Sequence, residues 1–261
     1  MNRNFRCTAC GKCCVGQLPL TWNDAEANID LFPIGMVWTP VPASSKDFKL
    51  VSQLGATVRL PDRKELGLLI VPTSFIPASQ PCPALQDNNL CGIHDTKPAR
   101  CRTMPFYPYR EERFQSEVLS VKSGWECDTS EAAPVVYSDL KINNRADFDA
   151  ERQQLLQEVP LIRRYAEYML KYTPTILTQL ALASTKTKPS HIVTSLSSFL
   201  TATRHPNAQK LAEKQLPILS RAVSQTENKP ELSEFHRHYV AWAKEMSFLA
   251  KIKPKSVTEL S

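Results

Sequence analysis

The chain has 261 residues, of which 42% are hydrophobic and 22% are charged, and its formal net charge is +6 at pH 7. These proportions are those of an ordinary globular protein and exclude a largely disordered chain. No stretch approaches the ~20 consecutive apolar residues that a membrane helix needs, and the N-terminus lacks an apolar run of signal-peptide length. We therefore expect a cytoplasmic protein with no membrane partner, in a compartment where thiols stay reduced.

The positive charge lies in the second half of the chain. Residues 1–140 hold 14 Lys and Arg against 15 Asp and Glu, whereas residues 141–261 hold 18 against 11. A basic half of this kind is able to meet an acidic protein partner or a nucleic acid. Because its basic residues are spread out, we prefer a solvated face, keep an unidentified protein partner as a hypothesis, and do not expect a nucleic acid.

The most informative residues are eight cysteines, four of which lie within eight residues near the N-terminus. Thiolates bind soft metals, which in proteins are zinc or the irons of an iron–sulfur cluster. A secreted disulfide scaffold is disfavoured, because such scaffolds are short and cysteine-dense throughout, whereas this chain has no cysteine after residue 127. The sequence predicts a metal site with these candidate ligands: Cys7, Cys10, Cys13, Cys14, Cys82, Cys91, Cys101 and Cys127.

The spacing of the cysteines is compatible with more than one kind of centre. Cys7, Cys10 and Cys13 form a C-x2-C-x2-C step, which wraps three corners of a cubane cluster when a fourth ligand comes from a distance. Cys82, which Pro83 follows, is a suitable remote ligand. The same step also opens zinc sites that a distant pair completes. Eight thiols exceed what one four-ligand site needs, so the chain has either two sites or one site with additional thiols.

The first half of the chain reads as short strands and loops. Residues 57–60 and 68–71 flank the polar turn 61–65, which predicts a β-hairpin. Further along, the pattern predicts three short elements: a strand at 90–94, one helical turn at 97–102 and a returning strand at 113–121. A region with so little regular structure needs an additional source of stability. We expect metal ligation to provide it, because the free energy of metal binding at a thiolate site also stabilises the fold.

The second half shows helical periodicity. A helix is predicted to start at Phe148 with Asp147 as its cap. Pro160 breaks or kinks it, and the apolar residues Ile162, Tyr165, Ala166, Met169 and Leu170 continue the helical spacing beyond it. Further helices are predicted at 175–184, 190–203 and 206–224 and around Phe235–Leu249. We predict an α+β protein: a small loop- and strand-rich, metal-stapled domain at residues 1–135, followed by an all-α helical domain at residues 145–261.

Several motifs together resemble the YkgJ-like CxxCxxCC cysteine-cluster family of zinc- or iron-chelating proteins. The family pattern continues after the first four cysteines with C-x-x-L, C-x-I and a basic-P-x-x-C-R-x-x-P element. This chain has CPAL at residues 82–85, CGIH at 91–94, KPARCRTMP at 97–105 and a last cysteine at 127. His94 and Lys97 replace the tyrosine and arginine that are common in the family. The resemblance covers about half of the chain and leaves the helical half unassigned.

Relatives with the same cysteine pattern include the flagellin lysine N-methylases, for which an iron–sulfur cluster is the favoured centre. The resemblance therefore implies an iron–sulfur cofactor in preference to zinc. Arg100 and Arg102 flank Cys101, and cations beside thiolates favour their ionised form. A packing role is also expected for Arg102. With only 7 glycines, the chain shows no glycine-rich loop for a nucleotide.

Three hypotheses follow. The first is a metal-binding protein with an iron–sulfur centre in a redox or structural role. The second is a protein-modifying enzyme that resembles the flagellin lysine N-methylases, although the sequence assigns no catalytic residue. The third is a zinc-stabilised module whose basic helical half binds a protein or a nucleic acid.

Overall fold

A computed structural model describes residues 2–119, 121–122, 124–186 and 190–252. Sheets dominate its N-terminal half and helices its C-terminal half, which confirms the α+β class. The strands are β1 (Arg3–Asn4), β2 (Leu18–Pro19), β3 (Ile34–Pro42), β4 (Ala56–Arg59), β5 (Glu65–Ser74), β6 (Val135–Ser138), β7 (Lys141–Ile142) and β8 (Ile192–Ser195). The α-helices are α1 (Trp22–Ala27), α2 (Phe48–Leu54), α3 (Ala99–Thr103), α4 (Ala146–Tyr172), α5 (Thr175–Ser184), α6 (Leu196–Thr203), α7 (Ala208–Thr226) and α8 (Ser233–Leu249).

Strand β5 is the centre of the larger sheet. It is an apolar run that is buried at every position except Glu65, as expected for a strand covered on both faces. Strand β3 pairs with it antiparallel from Ile34 opposite Ser74 to Pro42 opposite Leu66. Strands β2 and β4 also pair with β5, and β8 pairs with β3, so the strand order is β2-β5-β3-β8 with β4 beside β5. The β4–β5 pairing confirms the predicted hairpin.

The main hydrophobic core joins this sheet to the helices. Trp38 of β3 packs against Tyr165 of α4, with ring centroids 5.2 Å apart, and Trp242 of α8 belongs to the same buried cluster. A Cβ on Gly35 would lie 2.5 Å from the tip of the Trp242 ring, so this indole rests directly on the β3 backbone. The core therefore draws on both halves of the chain. The division into domains at 1–135 and 145–261 stays a prediction, and residues 187–189 and 253–261 of the second part lie outside the described residues.

The helix predicted at 190–203 is wrong over its first part. Residues 192–195 form β8, which pairs with β3 from Trp38 opposite Ile192 to Gly35 opposite Ser195. The β-branched run Ile192-Val193-Thr194 suits a strand, and the open edge of β3 offers it a ladder partner. Ser195 then caps α6, its hydroxyl accepting a hydrogen bond from the Ser198 N–H. The second half is thus not entirely α-helical.

Two further predictions in the first half are wrong. The segment predicted as a strand at 113–121 contains a 3₁₀ helix at Glu112–Glu117, and residue 120 lies outside the described residues. The buried Gln115 explains this, because its amide bonds the backbone of Tyr107 and the carbonyl of Arg110 and so holds the segment as a compact loop. Residues 90–94 form only an isolated bridge, Leu85 to Cys91, and a 3₁₀ turn at His94–Thr96.

The other helix predictions are confirmed with shifted ends. Helix α3 matches the predicted turn at 97–102, and α5, α7 and α8 match the later periodic segments. Helix α4 starts at Ala146, two residues earlier than predicted, and continues through Pro160 without ending there. No helix of the described residues is long and apolar enough to cross a membrane.

A buried glutamine on α7 holds the entry to β3. The Gln215 side-chain carbonyl accepts a hydrogen bond from the Ile34 N–H at 3.1 Å, and its amide donates to the carbonyls of Ile29 and Phe32. Gln215 is fully buried, so no solvent replaces these bonds if the amide is removed.

We expect Gln215→Met to lower the free energy of unfolding by about 1–3 kcal/mol, because it leaves buried backbone groups without partners. Gln209→Met is the matched control on the same helix, since Gln209 bonds only the exposed Glu213. Urea denaturation followed by circular dichroism measures both. Equal stability of the two variants would contradict the role of Gln215.

Candidate metal centre

The cysteine-rich loop at residues 7–14 turns its backbone amides toward sulfur. Ala9 and Gly11 have positive φ values of 57° and 72°, so the chain curls tightly on both sides of Cys10. The Ala9 N–H donates to Cys7 Sγ at 3.4 Å. Backbone N–H groups of Lys12 and Glu126 donate to the Cys10 sulfur and lower the pKa of that thiol. Amides directed at sulfur stabilise the thiolate form, which is the form that binds metals.

Gly11 also lets this loop touch the segment that carries the next cysteines. A Cβ on Gly11 would lie 3.0 Å from the Asn89 carbonyl oxygen and 3.1 Å from Leu85 Cδ1. Both neighbours belong to the turn between Cys82 and Cys91. The glycine is therefore needed twice, for its backbone conformation and for this close approach.

A pair of backbone hydrogen bonds brings the last cysteine to the first ones. Arg6 and Asp128 exchange N–H···O bonds of 2.8 and 3.0 Å, and the Thr8 hydroxyl donates to the Glu126 carbonyl at 3.0 Å. Cys7 and Cys127 lie between these partners in sequence. Burial raises the pKa of Cys127, and the thiolates of Cys10, Cys7 and Cys13 raise it further.

A second group of thiols forms around Cys82. The Cys82 N–H donates to the Cys14 carbonyl at 2.8 Å, and a bridge between Leu85 and Cys91 closes the following turn. Burial raises the pKa of Cys101 to about 12, with added repulsion from the thiolates of Cys82, Cys13 and Cys91. The pKa of Cys82 is raised in the same way, mainly by burial and then by Cys91 and Cys13.

The neighbouring thiols of Cys13 and Cys14 shift each other's pKa in opposite directions. A hydrogen bond from the Cys14 thiol lowers the pKa of Cys13 to about 6, and the cation of Lys97 also favours this thiolate. The same bond raises the pKa of Cys14, as do burial and the nearby thiolates, among them Cys82 and Cys101. One thiolate in the pair is therefore favoured over two.

The donor set fits a soft metal. No disulfide joins any of the eight cysteines, and the charged groups that act on Cys14, Cys101 and Cys127 are mainly other thiols. Sulfur donors select zinc or iron–sulfur clusters and disfavour calcium and magnesium. Within residues 2–119, 121–122, 124–186 and 190–252, no three Cys, His, Asp or Glu side chains already converge as ligands of one ion. His94 is exposed on its 3₁₀ turn, so the structure gives it no packed position.

The two arginines beside Cys101 face helix α4. Arg100 is buried, with 4% of its surface exposed, and pairs at 3.5 Å with Glu151, of which 1% is exposed. It also donates to the Phe106 carbonyl. Arg102 pairs with Asp147 at 3.5 Å at the surface. Arg100 still lowers the pKa of Cys101, but this effect is smaller than those of burial and the neighbouring thiolates.

Acidic residues from other elements position α3, and sequence reasoning missed them. Asp24 of α1 accepts a hydrogen bond from the Ala99 N–H at 3.0 Å, which satisfies the free amide at the start of α3. Glu151 of α4 holds Arg100, and the Thr103 hydroxyl donates to the Asp147 carbonyl at 3.3 Å. One signal was present in the sequence. Glu151 shares the buried stripe of α4 with Phe148 and Leu155, and a charge on such a stripe needs a buried partner.

Comparison with known families agrees with this chemistry. Residues 6–127 match the CxxCxxCC family, which is described as a "Putative zinc- or iron-chelating domain". The match covers a little under half of the chain and includes all eight cysteines. No curated protein and no solved structure matches the chain. The assignment of individual cysteines as ligands stays a prediction.

We expect Gly11→Ala to lower the free energy of unfolding by about 1–2 kcal/mol, because a side chain at positive φ is strained. Less metal should then remain bound after dialysis against a weak chelator. Ala9→Gly is the matched variant in the same loop, and it should retain or gain stability because Ala9 already occupies a positive φ. Full metal retention and unchanged stability in Gly11→Ala would show that this turn tolerates a side chain.

The buried ion pair makes a second prediction. Glu151→Gln leaves the Arg100 cation without its carboxylate and should cost about 3 kcal/mol of stability. Asp147→Asn removes the exposed partner of Arg102 and should cost under about 1 kcal/mol. Denaturant unfolding measures both variants, and a similar loss in the two would show that burial of the Arg100 pair does not matter.

Proposed function

We propose that this chain, whose residues 6–127 are a CxxCxxCC domain, binds metal through thiolates and holds iron–sulfur clusters in preference to zinc. The observation that carries the proposal is the backbone pairing that places cysteine-bearing segments distant in sequence next to one another. Backbone pairing brings Cys127 to Cys7 and Cys82 to Cys14. Thiolates that lie close together repel one another, and a bound cation removes this repulsion.

The neighbour relations are compatible with two centres of four ligands each, with Cys13 in contact with both sets, because it raises the pKa of Cys127 and also those of Cys82 and Cys101. The thiolates of Cys7, Cys10 and Cys13, which form the C-x2-C-x2-C step, raise the pKa of Cys127. These four thiols suit the first centre. The Cys14 carbonyl accepts a hydrogen bond from the Cys82 N–H, and the thiolates of Cys82 and Cys101 raise the pKa of the Cys14 thiol. The Cys91 thiolate raises the pKa of Cys101, so Cys91 joins Cys14, Cys82 and Cys101 as the fourth ligand of the second centre.

The metal decides what these centres supply. Iron–sulfur clusters exchange single electrons, whereas zinc with four thiolates stabilises the fold without redox chemistry. The preference for iron–sulfur over zinc rests on the resemblance to the flagellin lysine N-methylases, because an all-sulfur donor set suits both. The protein itself provides the thiolates. Its backbone N–H groups point at the sulfurs of Cys7 and Cys10, and Arg100 holds α3 in place.

The cellular setting and partners follow from the same chemistry. Unpaired thiols persist in a reducing compartment, which supports a cytoplasmic location. The basic second half of the chain is the candidate surface for a protein partner. A role in protein modification is a further hypothesis.

The test is metal and acid-labile sulfide analysis of protein purified without oxygen, on the wild type, Cys127→Ser and Cys91→Ser. With two iron–sulfur centres, each variant should lose about half of its iron and sulfide, and the remaining cluster should keep a visible absorption band. Loss of all metal in both variants would indicate one shared centre. Colourless protein that contains zinc and no sulfide would overturn the iron–sulfur proposal and leave thiolate chelation intact.

Reduction with dithionite then tests the redox role. A redox-active centre should bleach and give a paramagnetic signal that oxidation reverses. A centre that stays in one state throughout would have a structural role only.

A further inference from the structure

A cleft of about 610 Å³ lies far from the thiols, between the end of α4, β8, α6 and α8. Asp147, beside α3, and Tyr172, at the cleft, are 25 residues apart on α4. At 1.5 Å per residue they are separated by about 37 Å along the helix. Clefts of several hundred cubic ångströms are the usual size for small-molecule sites. The metal-binding proposal assigns this cleft no role.

Hydrogen bonds between buried groups make its floor rigid. The Tyr165 hydroxyl bonds both Thr194 Oγ1 and Ser198 Oγ at 2.7 Å, and Trp38 Nε1 donates to Thr194 at 3.0 Å. These groups satisfy one another. This part of the floor is therefore preformed.

A carboxylate at the cleft is held in place from below. The Ser197 hydroxyl donates to Glu245 Oε2, and Ser195 bonds Ser197 at 2.8 Å. Both serines are buried, with 6% and 7% of their surfaces exposed. Exposed glutamates on helices usually sample several rotamers, whereas this one is oriented. In the part of the chain that the structure describes, Glu245 forms no ion pair.

Aromatic rings form the walls beside this carboxylate. Tyr168 and Tyr172 pack with centroids 4.7 Å apart and are exposed by 37% and 61%, and Trp242 and His238 line the same cleft. Burial lowers the pKa of His238, which favours its neutral ring. Lys171 Nζ lies 5.2 Å from the centroid of the Tyr172 ring, so this tyrosine already attracts a cation, which a ligand ammonium would have to displace.

We infer that the cleft binds the ammonium group of a small organic cation, with Glu245 as its counter-ion and the two tyrosines as its aromatic wall. Glu245 is the only charged side chain that lines the cleft in the described structure, although the whole chain has a net charge of +6. An anion would be repelled by this carboxylate, whereas an ammonium gains from both the carboxylate and the ring faces.

The probe is choline, and 3,3-dimethylbutan-1-ol is its neutral isostere of nearly the same shape. Isothermal titration of the full metal-loaded protein, together with tryptophan fluorescence, should show one saturable choline site, with the isostere at least about tenfold weaker. Glu245→Gln should weaken choline about tenfold, and the exposed Tyr172→Leu should weaken it severalfold. Glu213→Gln on α7, outside the cleft, should bind as the wild type does.

Three outcomes would overturn the inference: equal affinity for choline and its isostere, unchanged affinity in Glu245→Gln, or no saturation up to about 10 mM. If choline binding does not saturate and Glu245→Gln also lowers the unfolding midpoint, the carboxylate serves only to stabilise the start of α6. Tyr172 is mostly exposed, so its variant keeps the test valid if Glu245→Gln folds poorly.

Discussion

The buried ion pair between Arg100 and Glu151 is the contact on which the thiol end of the molecule depends. Helix α3 has only five residues and could not hold Cys101 in place by itself. Glu151 fixes it from α4, and Asp24 fixes its first amide from α1. Because both acids belong to elements that pack in or against the main core, the position of Cys101 is set by the body of the protein and not by the cysteine loops.

The same principle recurs wherever the chain lacks regular structure. It has 20 prolines, and the loops they create leave backbone groups without ladder partners. Side chains supply these partners: the buried Gln115 bonds the backbone near Tyr107, the buried Gln215 bonds the entry to β3, and the half-buried Arg152 donates to the carbonyls of Pro108 and Arg110. These bonds explain how a loop-rich half keeps a defined shape around its thiols.

The thiols themselves are in a condition that favours a cation. Burial and mutual repulsion raise the pKa values of Cys82, Cys101 and Cys127, whereas the Cys14 thiol and Lys97 lower that of Cys13. In the proposed metal centre, a soft metal bound to these sulfurs would replace their protons and cancel their repulsion, which would couple ligation to folding of this region. The cleft near Glu245 lies at the other end of α4 and depends on the serines of α6 instead.

The sequence by itself determined the CxxCxxCC cysteine pattern, the α+β class, the β4–β5 hairpin and the later helices, because these follow from local spacing and periodicity. It did not determine that residues 192–195 form a strand, since their conformation depends on the open edge of β3, more than 150 residues away. Nor did it determine how the cysteines divide into groups, since the bonds between Arg6 and Asp128 and between Cys82 and Cys14 join distant segments. Only tertiary packing decides such pairings, because each needs two partners whose separation in the sequence leaves no local signal.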